Sequence, residues 1–281
     1  MLRPRISATL IALLVSLPAL LPAQTGTIEL TARGAPTIGN AEPVRKQTFY
    51  LLRKSYAGIR QEAAETEPGP NLDKYVDTLT VSPELRAWMK RAKRIDLSGP
   101  EFLRALKADD IINVPEFRLA YCARNATEVR MGFPEPKYSE KDRVKNPKKF
   151  EQQEQAYLKA LRQYMDTHPG SIEGIENYLT EIDAGMGWAR LLREWQNRVD
   201  WHARQLAETR YLTARIETDL EGNTRLSGVT PGHYWISSLN NYVQVGDVRL
   251  AWDLPLDVLP GRATYLELSN VNAIAPSTAR H

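Results

Sequence analysis

The sequence predicts an α+β protein in which an antiparallel β-sandwich is interrupted by a large all-helical insertion between its second and third strands. Apolar residues alternate with period two near both ends of the chain and follow helical spacing in the middle. After residue 209, short strands return with turns about every eight to twelve residues. The expected segments are a signal peptide at 1–23, sandwich segments at 24–55 and 208–273, a helical insertion at 56–207 and a flexible tail at 274–281.

The chain begins with a pattern typical of an export signal. Arg3 and Arg5 precede an apolar run at residues 6–21, and Ala23 offers a small residue for cleavage. The run also contains serine, threonine and proline, so it is a poor membrane-spanning helix, which needs about 20 mainly apolar residues. We therefore expect cleavage after Ala23 and a secreted or periplasmic protein, with an uncleaved membrane anchor as the alternative.

Charge and cysteine content narrow the possible partners. The chain has 281 residues and a formal net charge of +3, and two positive charges, on Arg3 and Arg5, leave with the signal. A near-neutral balance gives no electrostatic reason to expect nucleic acid or, apart from export, a membrane as a partner.

Cys122 is the only cysteine, so no disulfide can form within the chain. Its helical surroundings predict a small buried residue.

Two strands are predicted before the helical region. Residues 26–33 alternate with period two and are rich in β-branched side chains, and residues 47–54 form a second such run. The segment 34–43 between them is rich in glycine, proline and asparagine, which favours a turn.

Several helix starts are readable in the middle of the chain. Ser82 precedes proline and glutamate, and Asn146 precedes a proline, so each provides a cap and then a proline in the first turn. The helix after Asn146 is expected to end at His168. Ser171 is expected to cap a further helix that runs through Ile182. The last helix is predicted to begin near Gly187.

Strands and turns are predicted again from residue 210 onward. Residues 219–223 contain Gly222 and are expected to form a turn. Because side chains alternate along a strand, Tyr234 and Ile236 should point to one face, and His233 and Trp235 to the other. Further strand candidates lie at 210–217, 224–227, 233–238, 247–251, 254–259 and 263–269.

These C-terminal motifs resemble the carboxypeptidase regulatory-like domain, a family similar to the transthyretin and collagen-adhesin B-type sandwiches. The resemblance is carried by Thr218-Asp219, the glycine turn that follows and then Pro231-Gly232-His233-Tyr234; Pro43-Val44 is similar to the start of an earlier family strand. It covers residues 26–54 and 209–272, and it implies a prealbumin-like sandwich that is non-catalytic, adhesive or structural. The arrangement also resembles uncharacterised exported bacterial proteins.

The same resemblance raises the hypothesis of an isopeptide bond. Some collagen-adhesin sandwiches join a lysine on an early strand to an asparagine on the last strand, with help from a buried acid. Lys46, Lys54, Asn270 and Asn272 lie at suitable places in the sequence. The simpler interpretation is that the lysines are exposed and the asparagines form turns.

Few residues suggest a chemical site. No motif of a nucleophile elbow, a zinc protease, a Cys-x-x-Cys pair or a phosphate-binding loop is present, and no cofactor or metal is expected. His202 is better interpreted as a packed residue than as a ligand or base. Trp188 and Trp195 share a core-facing helix side, whereas Trp201 lies off it. Trp201, Trp235 and His233 are therefore the candidate ligand contacts.

Two classes of function remain open from the sequence. The preferred one is an exported, non-catalytic binding or structural module that presents its helical insertion for protein or glycan contact. The alternative is a hydrolase-type enzyme whose acids, such as Glu173, Glu176 and Glu181, act in a cleft between the sandwich and the insertion.

Overall fold

The computed structural model describes residues 24–274, so the predicted signal peptide and residues 275–281 of the predicted tail lie outside the described residues. The protein is α+β, as the sequence predicts. The chain divides into two compact units. The sheet unit runs up to Glu62 and resumes at Ala203, and the helical unit spans Ala63–His202. Among the described helices, none has the length and hydropathy that a membrane span requires.

The first sheet is built around an N-terminal strand, β1 (Gly26–Gly34). On one side it pairs in antiparallel fashion with β5 (Asn223–Val229) and with the two-residue strand β2 (Glu42–Pro43). On the other side it pairs with β10 (Ala263–Leu268), the last strand of the chain. Most partners of this strand therefore come from beyond the helical segment.

The second sheet has the same dependence on distant strands. Its order is β4 (Leu212–Glu217), β3 (Thr48–Leu52), β6 (Gly232–Ser237) and β9 (Asp253–Val258), with every pair antiparallel. A small hairpin of β7 (Val243–Val245) and β8 (Val248–Leu250) completes the described strands. The prediction that segments 26–54 and 209–272 share one sheet system is confirmed by these pairings.

One hydrophobic core receives side chains from both four-stranded sheets. In β1 every second residue is buried, as the period-two pattern predicts. Trp252 lies fully buried and packs edge-on against Phe49, with ring centroids 5.8 Å apart. Other buried members of this core are Ile28, Leu30, Ala32, Leu51, Ile216, Tyr234, Ile236, Leu256, Val258 and Leu268.

The pairing of β1 with β10 departs from the expected antiparallel arrangement, because it is parallel throughout, from Thr27↔Ala263 to Ala32↔Leu268. The turn at Pro260-Gly261 connects strands of different sheets, so the chain leaves β9 in the second sheet and returns beside β1 in the first. Alternation of apolar residues determines which face of a strand is buried, but it carries no information on strand direction.

The helical unit has its own core. Trp88 is buried at its centre and meets Phe102 and Phe117 edge-on, at centroid distances of 5.9 and 4.9 Å. The α-helices between β3 and β4 are α1 (Tyr56–Thr66), α2 (Leu72–Asp77), α3 (Pro83–Ala92), α4 (Gly99–Ala105), α5 (Ala108–Asn113), α6 (Pro115–Arg124), α7 (Glu140–Lys145), α8 (Pro147–Thr167) and α9 (Gly185–Leu206).

The predicted helix starts are confirmed where a side-chain cap precedes a proline. The Ser82 hydroxyl accepts a hydrogen bond from the Leu85 amide at 3.1 Å, and the Asn146 side chain accepts one from the Lys149 amide at 3.2 Å. In both cases proline occupies the first turn, where its missing N–H is not needed. The helix after Asn146 ends at His168, as expected.

The prediction of a helix after Ser171 is wrong. In its place the chain forms three short 3-10 turns, Pro169–Ile172, Ile175–Tyr178 and Thr180–Ile182. Gly174 interrupts any continuous helix because its backbone is left-handed, with φ of 83°. The apolar spacing that suggested a helix instead buries Ile175 and Leu179 in the core of the helical unit.

The first backbone N–H groups of helix α1 are hydrogen-bonded to acceptors within the sheet unit. The Asp253 carboxylate of β9 accepts the amides of Tyr56 and Ala57 at 3.0 and 3.1 Å, although 197 residues separate Tyr56 from Asp253. The Ser55 hydroxyl accepts the amide of Gly58 at 3.1 Å. Burial raises the pKa of Asp253, and the two amide hydrogen bonds oppose that shift. A strand of the second sheet thus fixes the start of the helix.

A second polar contact joins the points where the chain leaves and rejoins the second sheet. The Glu62 carboxylate lies 2.6 Å from Lys54 Nζ and 2.7 Å from both the Tyr211 hydroxyl and an Arg210 guanidinium nitrogen. Arg210 and Tyr211 belong to a π-helical turn, Ala207–Tyr211, directly before β4. The bond from Lys54 holds the pKa of Glu62 below its usual range, so this contact weakens as acid protonates the carboxylate.

The lysines and asparagines of the isopeptide hypothesis have separate partners. Lys46 lies 3.6 Å from Glu217 and Lys54 binds Glu62. The amide of Asn270 bonds both backbone groups of Ala35, and that of Asn272 caps the loop after β10. Lys46 is exposed and both asparagines lie in the turn after β10, as the simpler interpretation expects, whereas Lys54 is half-buried in its ion pair.

Replacement of Asp253 by alanine is expected to lower the free energy of unfolding by about 1 to 2 kcal/mol, because two amides of α1 lose their acceptor. Chemical denaturation followed by circular dichroism measures this change. Asp257→Ala on the same strand is the matched control, since its exposed carboxylate caps no helix, and it should change stability by less than about 0.5 kcal/mol. Equal effects of the two variants would contradict the capping role.

Deletion of residues 60–205, with a short flexible linker in their place, is expected to leave a folded β-domain. Leu52 and Leu212 are register partners and the Arg53 amide donates to the Tyr211 carbonyl at 2.9 Å, so the strands that flank the deletion already meet. A β-type circular dichroism spectrum with a cooperative thermal transition is the expected result. An unfolded remnant would show that the sheets do not fold independently.

Candidate functional site

The outer face of the first sheet carries a continuous set of polar side chains. Alternation along β1, β5 and β10 turns one set of residues to the core and the other to solvent. We call this surface the polar sheet face. It consists of Glu29, Thr31, Arg33, Asn223, Arg225, Tyr265 and Glu267.

Cross-strand registry arranges these side chains in rows. Glu29 lies between Tyr265 on one side and Arg225 on the other, and its carboxylate is 3.7 Å from the Arg225 Nε. In the next row Thr31 lies between Glu267 and Asn223. Its hydroxyl donates to the Asn223 side-chain oxygen at 2.9 Å. Tyr265 is 75% exposed, an unusual degree for a large aromatic side chain.

The face encloses a shallow depression of about 950 Å³. The turn between β4 and β5 bounds one end, where the Asp219 carboxylate accepts the amides of Glu221 and Asn223 at 3.0 and 2.7 Å. Gly222 in this turn has φ of 80°, and a Cβ there would lie 2.5 Å from the Ala32 carbonyl oxygen. The turn residues predicted from the sequence therefore shape the rim of the depression.

His233 and Trp235 lie together on the outer face of the second sheet. His233 Nδ1 is 2.7 Å from a carboxylate oxygen of Asp257, its register partner on β9. The rings of His233 and Trp235 meet edge-on at 4.4 Å. Trp235 is half-buried, and Tyr234 and Ile236 point into the core, as the predicted alternation requires. Two of the three candidate ligand contacts therefore share one surface.

The third candidate contact, Trp201, belongs to the helical unit and is 66% exposed. Trp188 packs against the core of that unit, and the Trp195 indole donates to the Glu67 carbonyl at 3.2 Å. Trp188 and Trp195 are half-buried whereas Trp201 is exposed, so the three tryptophans differ in exposure in the direction that the sequence predicts.

The remaining candidates for chemistry also lie in the helical unit. His202 Nδ1 is 3.4 Å from a Glu67 carboxylate oxygen and 3.3 Å from the Thr66 hydroxyl, which agrees with a packed histidine. Glu173 and Glu181 are exposed, and Glu176 is half-buried. Within residues 24–274 there is no group of three or more histidine, cysteine, aspartate or glutamate side chains arranged to hold a metal ion.

Sequence reasoning missed the polar sheet face as a site. The polar residues of β1 and β10 alternate with apolar ones, which predicts a strand. Each of them alone indicates only a solvent-exposed position. The available signal was Tyr265, a large aromatic residue on the polar side of an alternating strand. Its significance depends on Glu29 and Arg225 lying in the same row, which requires knowledge of the strand order.

Comparison of the chain with protein-family models, with curated proteins and with solved structures finds no match in any of the three.

Proposed function

We propose that the chain is an exported, non-catalytic binding module that holds a neutral glycan on its polar sheet face. In this proposal the sheet unit is a carboxypeptidase regulatory-like, prealbumin-like β-sandwich, and the helices between β3 and β4 are an insertion into it. The observation that carries the proposal is the exposed ring of Tyr265 in one row with Glu29 and Arg225, inside an open depression.

The sandwich assignment is supported by contacts among the residues that carry the family resemblance. Thr218, which is buried, donates its hydroxyl to the Val44 carbonyl at 2.7 Å and accepts the Gln47 amide at 3.0 Å. The Thr218-Asp219 motif therefore contacts the Pro43-Val44 motif although they lie far apart in sequence. The buried hydroxyl both donates and accepts a hydrogen bond, which explains why a threonine suits this position.

The chemistry of the polar sheet face suits sugar hydroxyls. A sugar ring has apolar C–H faces that can stack on an exposed aromatic ring, and hydroxyls that both donate and accept hydrogen bonds. Tyr265 supplies the ring, Glu29 and Glu267 supply acceptors, and Arg33 and Arg225 supply donors. Three acids, Glu29, Glu267 and Asp219 at the rim, nearly balance the two guanidinium groups. The depression therefore has no strong net charge, which favours a neutral ligand over an ionic one.

The polar pairs on this face are weak enough to exchange their partners. Arg225 and Glu29 form an ion pair at 3.7 Å near solvent, and exposed pairs of this kind contribute about 0 to 1 kcal/mol. A ligand hydroxyl can therefore replace the interaction at little cost. The shallow, open shape also suits an extended chain of sugars better than a small molecule, which usually requires a deeper pocket.

Export is the second part of the proposal. It rests on the basic, apolar and small-residue pattern of residues 1–23. A secreted or periplasmic location would expose the module to extracellular or cell-envelope glycans. An intact mass of exported protein that begins at Gln24 is the result this part requires.

Replacement of Tyr265 by alanine is expected to weaken glycan binding by roughly tenfold, because the stacking surface is lost. Arg225→Ala should also weaken it, through loss of hydrogen-bond donors. Native electrophoresis through gels that contain soluble glucans, xylans or mannans measures binding as retardation of the protein band.

Trp235→Ala and Trp201→Ala are the matched controls, since each removes an aromatic ring from another surface. Both should retain the retardation of the wild type. Loss of retardation in either control, together with full retention in Tyr265→Ala, would move the binding surface to the residues predicted from the sequence. Absence of retardation of the wild type in every gel would contradict the proposal.

A further inference from the structure

A cavity of about 380 Å³ lies within the helical unit, beside helix α8. One side of it is a face of that helix, formed by Gln153, Ala156, Tyr157 and Ala160 at spacings of three and four residues. The other side is the loop at residues 134–137. We call it the α8 cavity. Ligand pockets span about 300 to 1,000 Å³, so a cavity of this volume suits a compact ligand.

The loop beside the α8 cavity is anchored at both of its ends. Before it, the buried Phe133 packs edge-on against Tyr164, with ring centroids 5.2 Å apart. After it, Tyr138 packs edge-on against Tyr157, with centroids 6.0 Å apart. Two prolines restrict the backbone between these anchors. A wall that is fixed before a ligand arrives loses little conformational entropy when the ligand binds.

The helix side of the α8 cavity is mainly apolar. Ala156 and Ala160 leave space that longer side chains would fill, and the Tyr157 ring lies beside them. The Tyr157 hydroxyl is 3.2 Å from Cys122 Sγ, so the polar end of this residue already has a partner. Burial, followed by this contact, raises the pKa of Tyr157 and keeps the side chain uncharged at neutral pH. The wall can therefore cover an apolar group of a ligand.

Two opposite charges stand on the loop side of the α8 cavity. Glu135 and Lys137 both line it, and both are exposed. Among the described residues, neither side chain has an ion-pair or hydrogen-bond partner, so both remain available to a ligand. A ligand with a single charge is attracted by one of these groups and repelled by the other, whereas a zwitterion satisfies both.

We propose that the α8 cavity binds a free α-amino acid with an apolar side chain. The ammonium group of the ligand pairs with the Glu135 carboxylate, and its carboxylate pairs with the Lys137 ammonium group. The apolar side chain lies against Ala156, Ala160 and the Tyr157 ring. An amino acid carries both charges at one end and its side chain at the other, which matches a cavity with a charged loop and an apolar wall. The site belongs to the helical unit and does not depend on glycan binding by the sheet unit.

Titration of L-phenylalanine and L-leucine into isotope-labelled protein, followed by NMR of the backbone amides, tests the proposal. Both amino acids should shift the amide signals of Glu135 and Gln153, and the shifts should saturate at concentrations up to about 10 mM. Phenethylamine lacks the carboxylate and phenylpropionate lacks the ammonium group. Each should therefore bind at least about tenfold more weakly than phenylalanine.

Two charge-removing variants assign the ends of the ligand. Lys137→Gln should weaken phenylalanine binding about tenfold and leave phenethylamine binding unchanged, because that compound has no carboxylate. Glu135→Gln should weaken phenylalanine binding to a similar degree and leave phenylpropionate binding unchanged. Glu151→Gln and Lys159→Gln are the matched controls, since these exposed charges on α8 do not line the cavity, and both should bind as the wild type does.

Ala156→Phe fills the cavity from an exposed position on α8, so it should keep the circular dichroism spectrum of the wild type and bind neither amino acid. The proposal is overturned by any of three results: no saturable shifts with the wild type, equal binding of the three phenyl compounds, or unchanged binding in Glu135→Gln and Lys137→Gln. Glycan retardation reports on the sheet unit separately, so either proposal can fail while the other stands.

Discussion

The sheet unit depends on pairing between strands that are far apart in the chain. Strand β1 lies between β5 and β10, and β3 lies between β4 and β6. Each N-terminal strand buries its apolar residues only when C-terminal strands are in place. Closing so long a loop costs entropy, but that cost rises slowly with loop length, so the long intervening segment is tolerated. The buried core, with Phe49 against Trp252, supplies the compensating free energy.

Polar contacts then fix how the intervening chain is attached to the sheets. Asp253 on β9 holds the first amides of α1, and Glu62 in α1 binds Lys54 on one side and Arg210 and Tyr211 on the other. These contacts join residues before and after the helical segment. A helix start that is satisfied by a side chain from a distant strand is more specific than a local cap, because it forms only in the folded sheet unit.

Much of this fold follows from local rules in the sequence. Alternating residues gave the positions and buried faces of the strands, and caps followed by proline gave the starts of α3 and α8. The three 3-10 turns between Pro169 and Ile182 were missed because apolar spacing over a short stretch does not distinguish a helix from a set of turns. The left-handed backbone of Gly174 is what breaks the segment into turns. The presence of a glycine in the sequence does not by itself reveal which φ it adopts.

The parallel direction of β10 and the polar sheet face could not be read from the sequence for a related reason. Both depend on which strands are neighbours, and strand order is a property of the whole fold. His233 and Trp235 were found because they alternate within a single strand. Tyr265, Glu29 and Arg225 come from three strands, so no local pattern brings them together.

The central claim is that β1 and β3 form one cooperative unit with the strands after the helical segment. Native-state hydrogen exchange under increasing denaturant, read by mass spectrometry on peptic fragments, tests this claim directly. The amides of β1 and β3 should exchange with the same free energy and the same denaturant dependence as those of β6, because these strands can open only together. Exchange of β1 and β3 at a distinctly lower free energy, while β6 stays protected, would contradict the account.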